Sequence, residues 1–409
     1  MLRKISFVIS ILLVSFVNNG LRAQITDNDF KLLKKISVLR GELTLVRRME
    51  FENITINNQM KAAGIIDEIL NRAEQKVLGT IPKGRFPWCW GGYEDQQGMV
   101  ATAEEYINTF ASGKDPFEGK YAEPGGHTVD HAFIEKDGVV HVFYIRGTAA
   151  GDWPEYPLFN FGHATTTDLI NWTIEKPVLQ CPESGVDEYQ VWAPYVLKHE
   201  NKYWMFYTGV NDSVCQSICI ATSDDLYNWE RYEANPVITT ESWGNWGEEA
   251  WSDCRDPNIL KDGDTFYCYY TAGLMIPGTD EYEYRLGISS SKDLINWKYE
   301  GNVRLEHSLK TPPESPFAVK RNGKYYVFYT SYKYGTTYIV SDDPVSGWIE
   351  LSKEEAGVIS GVSASEILQK DGKWYISVIS HMKNGLHFLE IRDLTWNKDG
   401  SIIIGKTLK

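Results

Sequence analysis

Apolar and aromatic residues alternate with polar ones in five separate stretches of the chain, and each stretch follows a short turn. Asp137-Gly138 precedes VVHVFYIRG, Glu200-Asn201 precedes KYWMFYTGV, Asp262-Gly263 precedes DTFYCYYTAG, Asn322-Gly323 precedes KYYVFYTSY and Asp371-Gly372 precedes KWYISVISH. Asp-Gly and Asn-Gly tolerate the positive φ of a tight hairpin, and a two-residue period rich in aromatic and β-branched residues predicts a strand. Another apolar run lies upstream of each turn, so each turn should join two strands. The N-terminal part reads differently. Phe30, Leu33, Ile36 and Leu39, then Met60, Ile65, Ile66, Ile69 and Leu70, are spaced as on helix faces, which predicts two helices within 27–78.

A second element follows each strand pair: DLINW ending at Trp172, DLYNW at Trp229, DLINW at Trp297, DDPVSGW at Trp348 and DLTW at Trp396. Strand pair and acidic-to-tryptophan segment recur five times at intervals of about 50 to 70 residues, enough for four strands in each unit. The expected fold class is therefore all-β, a five-bladed β-propeller over 79–409 with an N-terminal helical extension. Because the Asp and Trp recur in every unit, they are read as structural. The helical extension is read as a clasp, or as a contact through which the chain forms a homo-oligomer.

Composition narrows the partners. The net charge is −14 and no basic patch is evident, which argues against nucleic acid and against an anionic membrane surface. Aromatic residues, 13% of the chain, suit both a β-rich core and a sugar-binding cleft. Residues 1–23 read as a secretory signal peptide: Arg3 and Lys4, an apolar run from Ile5 to Val17, and a cut after Ala23. A secreted or periplasmic location follows as an expectation. Six cysteines allow disulfides or buried thiols, and Cys215 and Cys219 lack a second pair at zinc spacing, so no metal site is assigned.

The first strand of each blade borders the central channel in such a fold. Its entry end carries Asp130 in TVDHAFIEKDG, Trp192 in VWAPYVLKHEN, Asp256 in CRDPNILKDG, Glu314 in PPESPFAVKRNG and Ser365-Glu366 in VSASEILQKDG. Asp130, Asp256 and Glu314 are expected to occupy equivalent blade positions and to converge. Cleavage of a glycosidic bond needs one carboxylic acid for the leaving oxygen and one carboxylate for water or the anomeric carbon. A third acid adjusts the proton affinity of that pair.

The segments WAPYV, RDPNILKDGDTFYCYYT and ESPFAVKRNGKYYVFYTS resemble glycoside hydrolase family 43, the arabinofuranosidases and β-xylosidases. Phe161-Gly162-His163-Ala164, followed by DLINW, is similar to family 32, the β-fructosidases. The resemblance spans roughly residues 128 to 397 and implies a carbohydrate substrate. It implies that Asp130 is the general base or nucleophile, Asp256 the residue that tunes the acid and holds substrate, and Glu314 the general acid. Blade 1 departs from the pattern with Asp130-His131 in place of Asp-Pro, and WAPYV lacks an acidic residue after its proline. The reading this supports is release of a terminal pentose or furanose. The alternatives are a β-fructosidase of levanase or invertase type, and a carbohydrate-binding propeller without catalysis. Arg255, Trp192, His163, His307 and His127 are secondary candidates for substrate binding. No cofactor is expected; the resemblance leaves room for a structural calcium ion in the central channel, near His381.

Overall fold

The computed structural model describes residues 120–408 apart from 122–125, 149–159, 189, 212–214, 241–252, 277, 280, 352–358, 360–361 and 382–386. The expected leader, the expected helices over 27–78 and the first part of the expected propeller region, 79–119, lie outside the described residues. A two-residue strand, β1 (Lys120–Tyr121), comes first. Blade 1 is β2 (Gly126–Lys136), β3 (Val139–Thr148), β4 (Phe161–Thr166) and β5 (Thr173–Ile174). Blade 2 is β6 (Gln190–His199), β7 (Lys202–Asn211), β8 (Cys215–Ser223) and β9 (Glu230–Arg231). Blade 3 is β10 (Cys254–Asp262), β11 (Thr265–Met275), β12 (Tyr282–Ser291) and β13 (Trp297–Val303). Blade 4 is β14 (Glu314–Arg321), β15 (Lys324–Ser331), β16 (Gly335–Ser341) and β17 (Ile349–Glu350). Blade 5 is β18 (Val362–Lys370), β19 (Lys373–His381), β20 (His387–Trp396) and β21 (Ile402–Thr407), with β1 added beside β20.

Each blade is an antiparallel meander, and its first hairpin is the Gly or Asn turn read from sequence. Asp137 and Gly138, Asn322 and Gly323, and Asp371 and Gly372 all have positive φ, the signature of the hairpin turn whose twist matches that of the strands. The first strands β2, β6, β10, β14 and β18 are neighbours around the axis. Apolar side chains fill the gaps between blades. Phe143 and Ile145 of blade 1 pack with Met205 and Tyr207 of blade 2, and Phe206 and Ile220 of blade 2 pack with Ile259 and Cys268 of blade 3. Tyr269 and Ile288 pack with Val327 and Tyr329, and Phe328 and Tyr338 with Ile376 and Val378, so the blade 3–4 and 4–5 gaps are filled alike. Cys219 and Cys268 are buried thiols in these cores.

The acidic-to-tryptophan segments are turns between the third and fourth strands. The Asp225 carboxylate accepts from the backbone N–H of Tyr227 at 2.8 Å and of Asn228 at 2.7 Å, and from the Asn228 amide at 2.7 Å. Ser223 Oγ accepts from Leu226 N at 2.9 Å, and Trp229 Nε1 donates to Leu226 O at 3.2 Å. Asp168 and Asp293 repeat the arrangement, and Asp343 supplies its backbone part in blade 4. Blade 5 departs from the expectation: Asp393 and Leu394 are residues of β20, and Trp396 ends that strand rather than opening the next.

Candidate active site

Each first strand slips register where it enters the channel: between Val129 and His131, Trp192 and Tyr195, Arg255 and Asn258, Glu314 and Phe317, and Ser363 and Glu366. Four of these bulges contain two residues, the first with positive φ: Ala193 at 43°, Asp256 at 59°, Ser315 at 51° and Ala364 at 47°. A non-glycine residue in that region is strained and persists only where its surroundings dictate it. The second residue is proline in blades 2, 3 and 4, which lacks an N–H and so suits a break in the ladder. Blade 1 bulges by Asp130 alone.

The bulge phase corrects the expectation that the three acids are equivalent. Asp256 corresponds to Ser315, Ala193 and Ala364, whereas Glu314 sits one step earlier and corresponds to Arg255, Trp192 and Ser363. The acids nevertheless converge. Ser315 Oγ donates to Asp130 Oδ1 at 2.6 Å, and Ser315 N donates to Asp256 Oδ2 at 3.0 Å, so a residue of blade 4 ties together the carboxylates of blades 1 and 3. Thr271 Oγ1 donates to the same Asp256 oxygen at 3.3 Å. Arg255 donates to Glu314 Oε1 at 2.8 Å and lies 3.7 Å from Asp256 Oδ2. Its other nitrogen donates to Asp253 Oδ1, whose second oxygen accepts from Tyr282 Oη at 2.6 Å. Asp130, Asp256 and the bulge residues line an open pocket of the channel with Glu366 at its side.

The electrostatics follow from crowding acids into a partly dry place. Burial, then the negative charge of Asp256, raises the Asp130 carboxyl well above its ordinary value, against the hydrogen bond from Ser315. Burial also raises Asp256, although Arg255 opposes it. Glu366 is pushed up by burial and by the Asp130 charge, while Phe133 N, donating to its Oε2 at 3.1 Å, works against the shift. Among the described residues, Arg255 is the guanidinium that reaches this cluster of carboxylates. Burial pushes the His131 imidazole down to about 3, so it stands neutral beneath Asp130 with Nε2 2.6 Å from Ser377 Oγ.

The secondary candidates scatter. Arg255 is buried behind the carboxylates and engaged by them, so it orients acids rather than presenting itself to the cleft. Trp192 shares the bulge phase of Glu314, and its Nε1 donates to Gln190 at 2.8 Å. His163 is fully buried on β4, with Nε2 3.0 Å from His141 Nδ1 and its ring stacked on Phe143; the structure does not bring it to the channel. His307 packs edge-on against Tyr334, and its N–H reaches Glu350 on the outer strand of blade 4. His127 and His381 lie on β2 and β19, but their side chains lie outside the described residues. Sequence reasoning missed Asp253, Ser315, Tyr282 and Tyr332. Ser315 was signalled by its place between Glu314 and a proline, and Asp253 by its position two residues before Arg255, just ahead of β10.

Residues 130–316 match the model of the glycosyl hydrolases family 32 N-terminal domain, and residues 250–407 match that of glycosyl hydrolases family 43. The overlap, 250–316, contains Asp253, Arg255, Asp256 and Glu314, and the family 32 match begins at Asp130. Two glycosyl hydrolase families thus match overlapping parts of this chain, which together run from 130 to 407. The chain is 24% identical over 330 residues to a xylosidase/arabinosidase of Bacteroides ovatus, covering 70% of this chain and 97% of the relative. It is 28% identical over 179 residues to a fructan 6-exohydrolase of Beta vulgaris, covering 40% of this chain but only 27% of the relative. A solved thermostable family-43 glycoside hydrolase superposes with a TM-score of 0.54 at 20% identity, over 70% of this chain and 94% of that one, so this glycoside hydrolase shares its fold.

Proposed function

We propose that this glycoside hydrolase releases terminal pentose or furanose residues, of arabinofuranosidase or β-xylosidase type, from poly- or oligosaccharides. The observation that carries the reading is the junction of Asp130, Asp256 and Glu314 through Ser315 and Arg255 at one end of the channel. Support for the substrate class comes from the near full-length relation to a xylosidase/arabinosidase. In this mechanism Glu314 gives its proton to the glycosidic oxygen as the bond to the anomeric carbon breaks, and the bonding pair stays with that oxygen. Asp130, once ionised, takes a proton from the water that attacks the anomeric carbon, or attacks the carbon itself before water releases the sugar. Asp256 holds the sugar and, through its charge, sets the proton affinity of Asp130.

The test is a screen of the purified protein against aryl α-L-arabinofuranoside, aryl β-D-xyloside, sucrose, levan and inulin, with Glu314→Gln as the blank. Release of pentose that vanishes in the blank supports the reading. The match of residues 130–316 to the family 32 domain favours a β-fructosidase as the second reading, and release of fructose would establish it. An inert wild type that still binds glycans would leave a carbohydrate-binding propeller. The joined acids speak against that outcome, because Asp130 and Asp256 line the channel and Arg255, 3.7 Å from Asp256, holds Glu314 beside them.

A further inference from the structure

Tyr332 sits in the three-residue loop between β15 and β16, where the ladder pairs Ser331 with Gly335. The loop is braced at its base. Tyr334 N donates to Ser331 O at 3.1 Å, Lys333 N to Ser331 Oγ at 3.3 Å, and Gly335 closes the turn at φ 87°, where a side chain would be strained. His307 packs edge-on against Tyr334 at 5.0 Å. On this fixed tip the Tyr332 residue is 62% exposed, yet its hydroxyl donates to Glu314 Oε2 at 2.8 Å.

The other Glu314 oxygen is held by Arg255, and a guanidinium donates but cannot accept. A protonated Glu314 therefore carries its proton on Oε2. The Tyr332 oxygen occupies the place that a glycosidic oxygen must take to receive that proton. Tyr332 is largely exposed, so its side chain is open to a group bound beside that oxygen. We propose that Tyr332 is the leaving-group residue of this site: its hydroxyl orients Glu314 in the empty cleft, yields to the glycosidic oxygen, and leaves its ring as the platform for the departing sugar. This inference rests on the glycoside hydrolase reading of Glu314. Balance is kept, since the hydroxyl proton stays with Tyr332 and the transferred proton comes from Glu314 Oε2.

The experiment compares wild type with Tyr332→Phe and Tyr332→Ala on two substrates of the same glycone, an oligosaccharide and an aryl glycoside with a good leaving group. Tyr332→Ala should lower kcat/KM on the oligosaccharide by about 3- to 10-fold more than on the aryl glycoside, the range expected for an aromatic contact. Tyr332→Phe keeps the ring, so it should keep the oligosaccharide KM and lose kcat/KM equally on both substrates, by about 2- to 10-fold for one hydrogen bond. Equal losses on both substrates in Tyr332→Ala, or an oligosaccharide KM raised as much in Tyr332→Phe as in Tyr332→Ala, would overturn the proposal while leaving the hydrolase reading intact. If instead the wild type cleaves neither substrate, or Glu314→Gln cleaves both as well as wild type does, the hydrolase reading itself fails and takes this inference with it.

Discussion

A single side chain's role here depends on what it is wedged against. Asp130 is half-buried, and burial plus the Asp256 charge raise its carboxyl above the ordinary 3.8, so the folded chain retains a proton that the unfolded chain releases. The associated stability is complete below about pH 4 and fades as pH rises through the raised value. Asp130→Asn should therefore cut kcat by at least about 100-fold while gaining stability on wild type as pH rises. Urea midpoints measured at acid and at mildly alkaline pH check this, and a constant difference between the two would refute the raised value. Gly273 offers a second case: a Cβ there would lie 1.3 Å from Tyr282 Oη, the hydroxyl that holds Asp253. Gly273→Ala should displace Tyr282, loosen Asp253 and Arg255, and lower kcat with the fold retained by circular dichroism; unchanged turnover would show that Arg255 is held without that hydroxyl. Of the site's residues the sequence reveals Asp130, Asp256, Glu314 and Arg255, and not Asp253. Asp130, Asp256 and Glu314 stand in first strands beside recognisable turns, whereas Tyr282 and Tyr332 reach their partners from other strands or loops, across distances no local pattern encodes.

The strands themselves were legible, because hairpin turns and aromatic alternation are local signals. Their bulges were not. The phase of a strand is read by assuming an unbroken two-residue period, and a bulge resets that period. This is why the three acids looked equivalent in sequence although Glu314 is one step out of phase with Asp256. The DLxNW turns show the opposite case, a motif whose repetition marked it as structural and whose hydrogen bonds explain why. Asp168 carries the same bonds as Asp225 and Asp293, and they hold the Asp168 carboxyl down at about 2. Asp225→Ala removes four acceptor contacts and should cost about 1–2 kcal/mol, the usual loss for a charged cap. Because the folded carboxyl is depressed, this stability is present above the unfolded value near pH 4 and disappears as pH falls below it. Thermal melts at neutral and acid pH should show the variant's deficit shrinking in acid, with activity per folded molecule unchanged.

At the scale of the ring, the site exists only because five blades are held closed. Asp130 comes from blade 1 and its partner Ser315 from blade 4, so any loosening of the circle separates them. The closure is shared along one strand: β20 pairs with β1 through Glu390 and Leu389, and with β21 from Arg392 onward. Glu390 is the hub, with Lys120 at 3.3 Å, Arg392 at 2.8 Å and Thr407 Oγ1 at 3.1 Å, and Tyr121 inserts between blades 5 and 1. A propeller needs such a splice because its first and last blades are distant in sequence, and here β1 adds to the hydrogen bonds that Glu366 and Ser377 of blade 5 make with Phe133 and His131 of blade 1. The splice was not legible beforehand, since Lys120-Tyr121 is too short for a periodic signal. Tyr121 is buried and its hydroxyl lies 2.9 Å from Tyr144 Oη, so Tyr121→Phe should cost about 1 kcal/mol. Tyr121→Ala should cost about 3–5 kcal/mol, as for other buried aromatic truncations. If closure holds the site together, the Ala variant's activity will fall along its own urea transition as the fold is lost. Activity lost well before the fold would mean that blade 1 parts from blade 5 while each blade stays folded. An unchanged midpoint would mean that the hydrogen bonds of Glu366 and Ser377 to blade 1 close the ring without Tyr121.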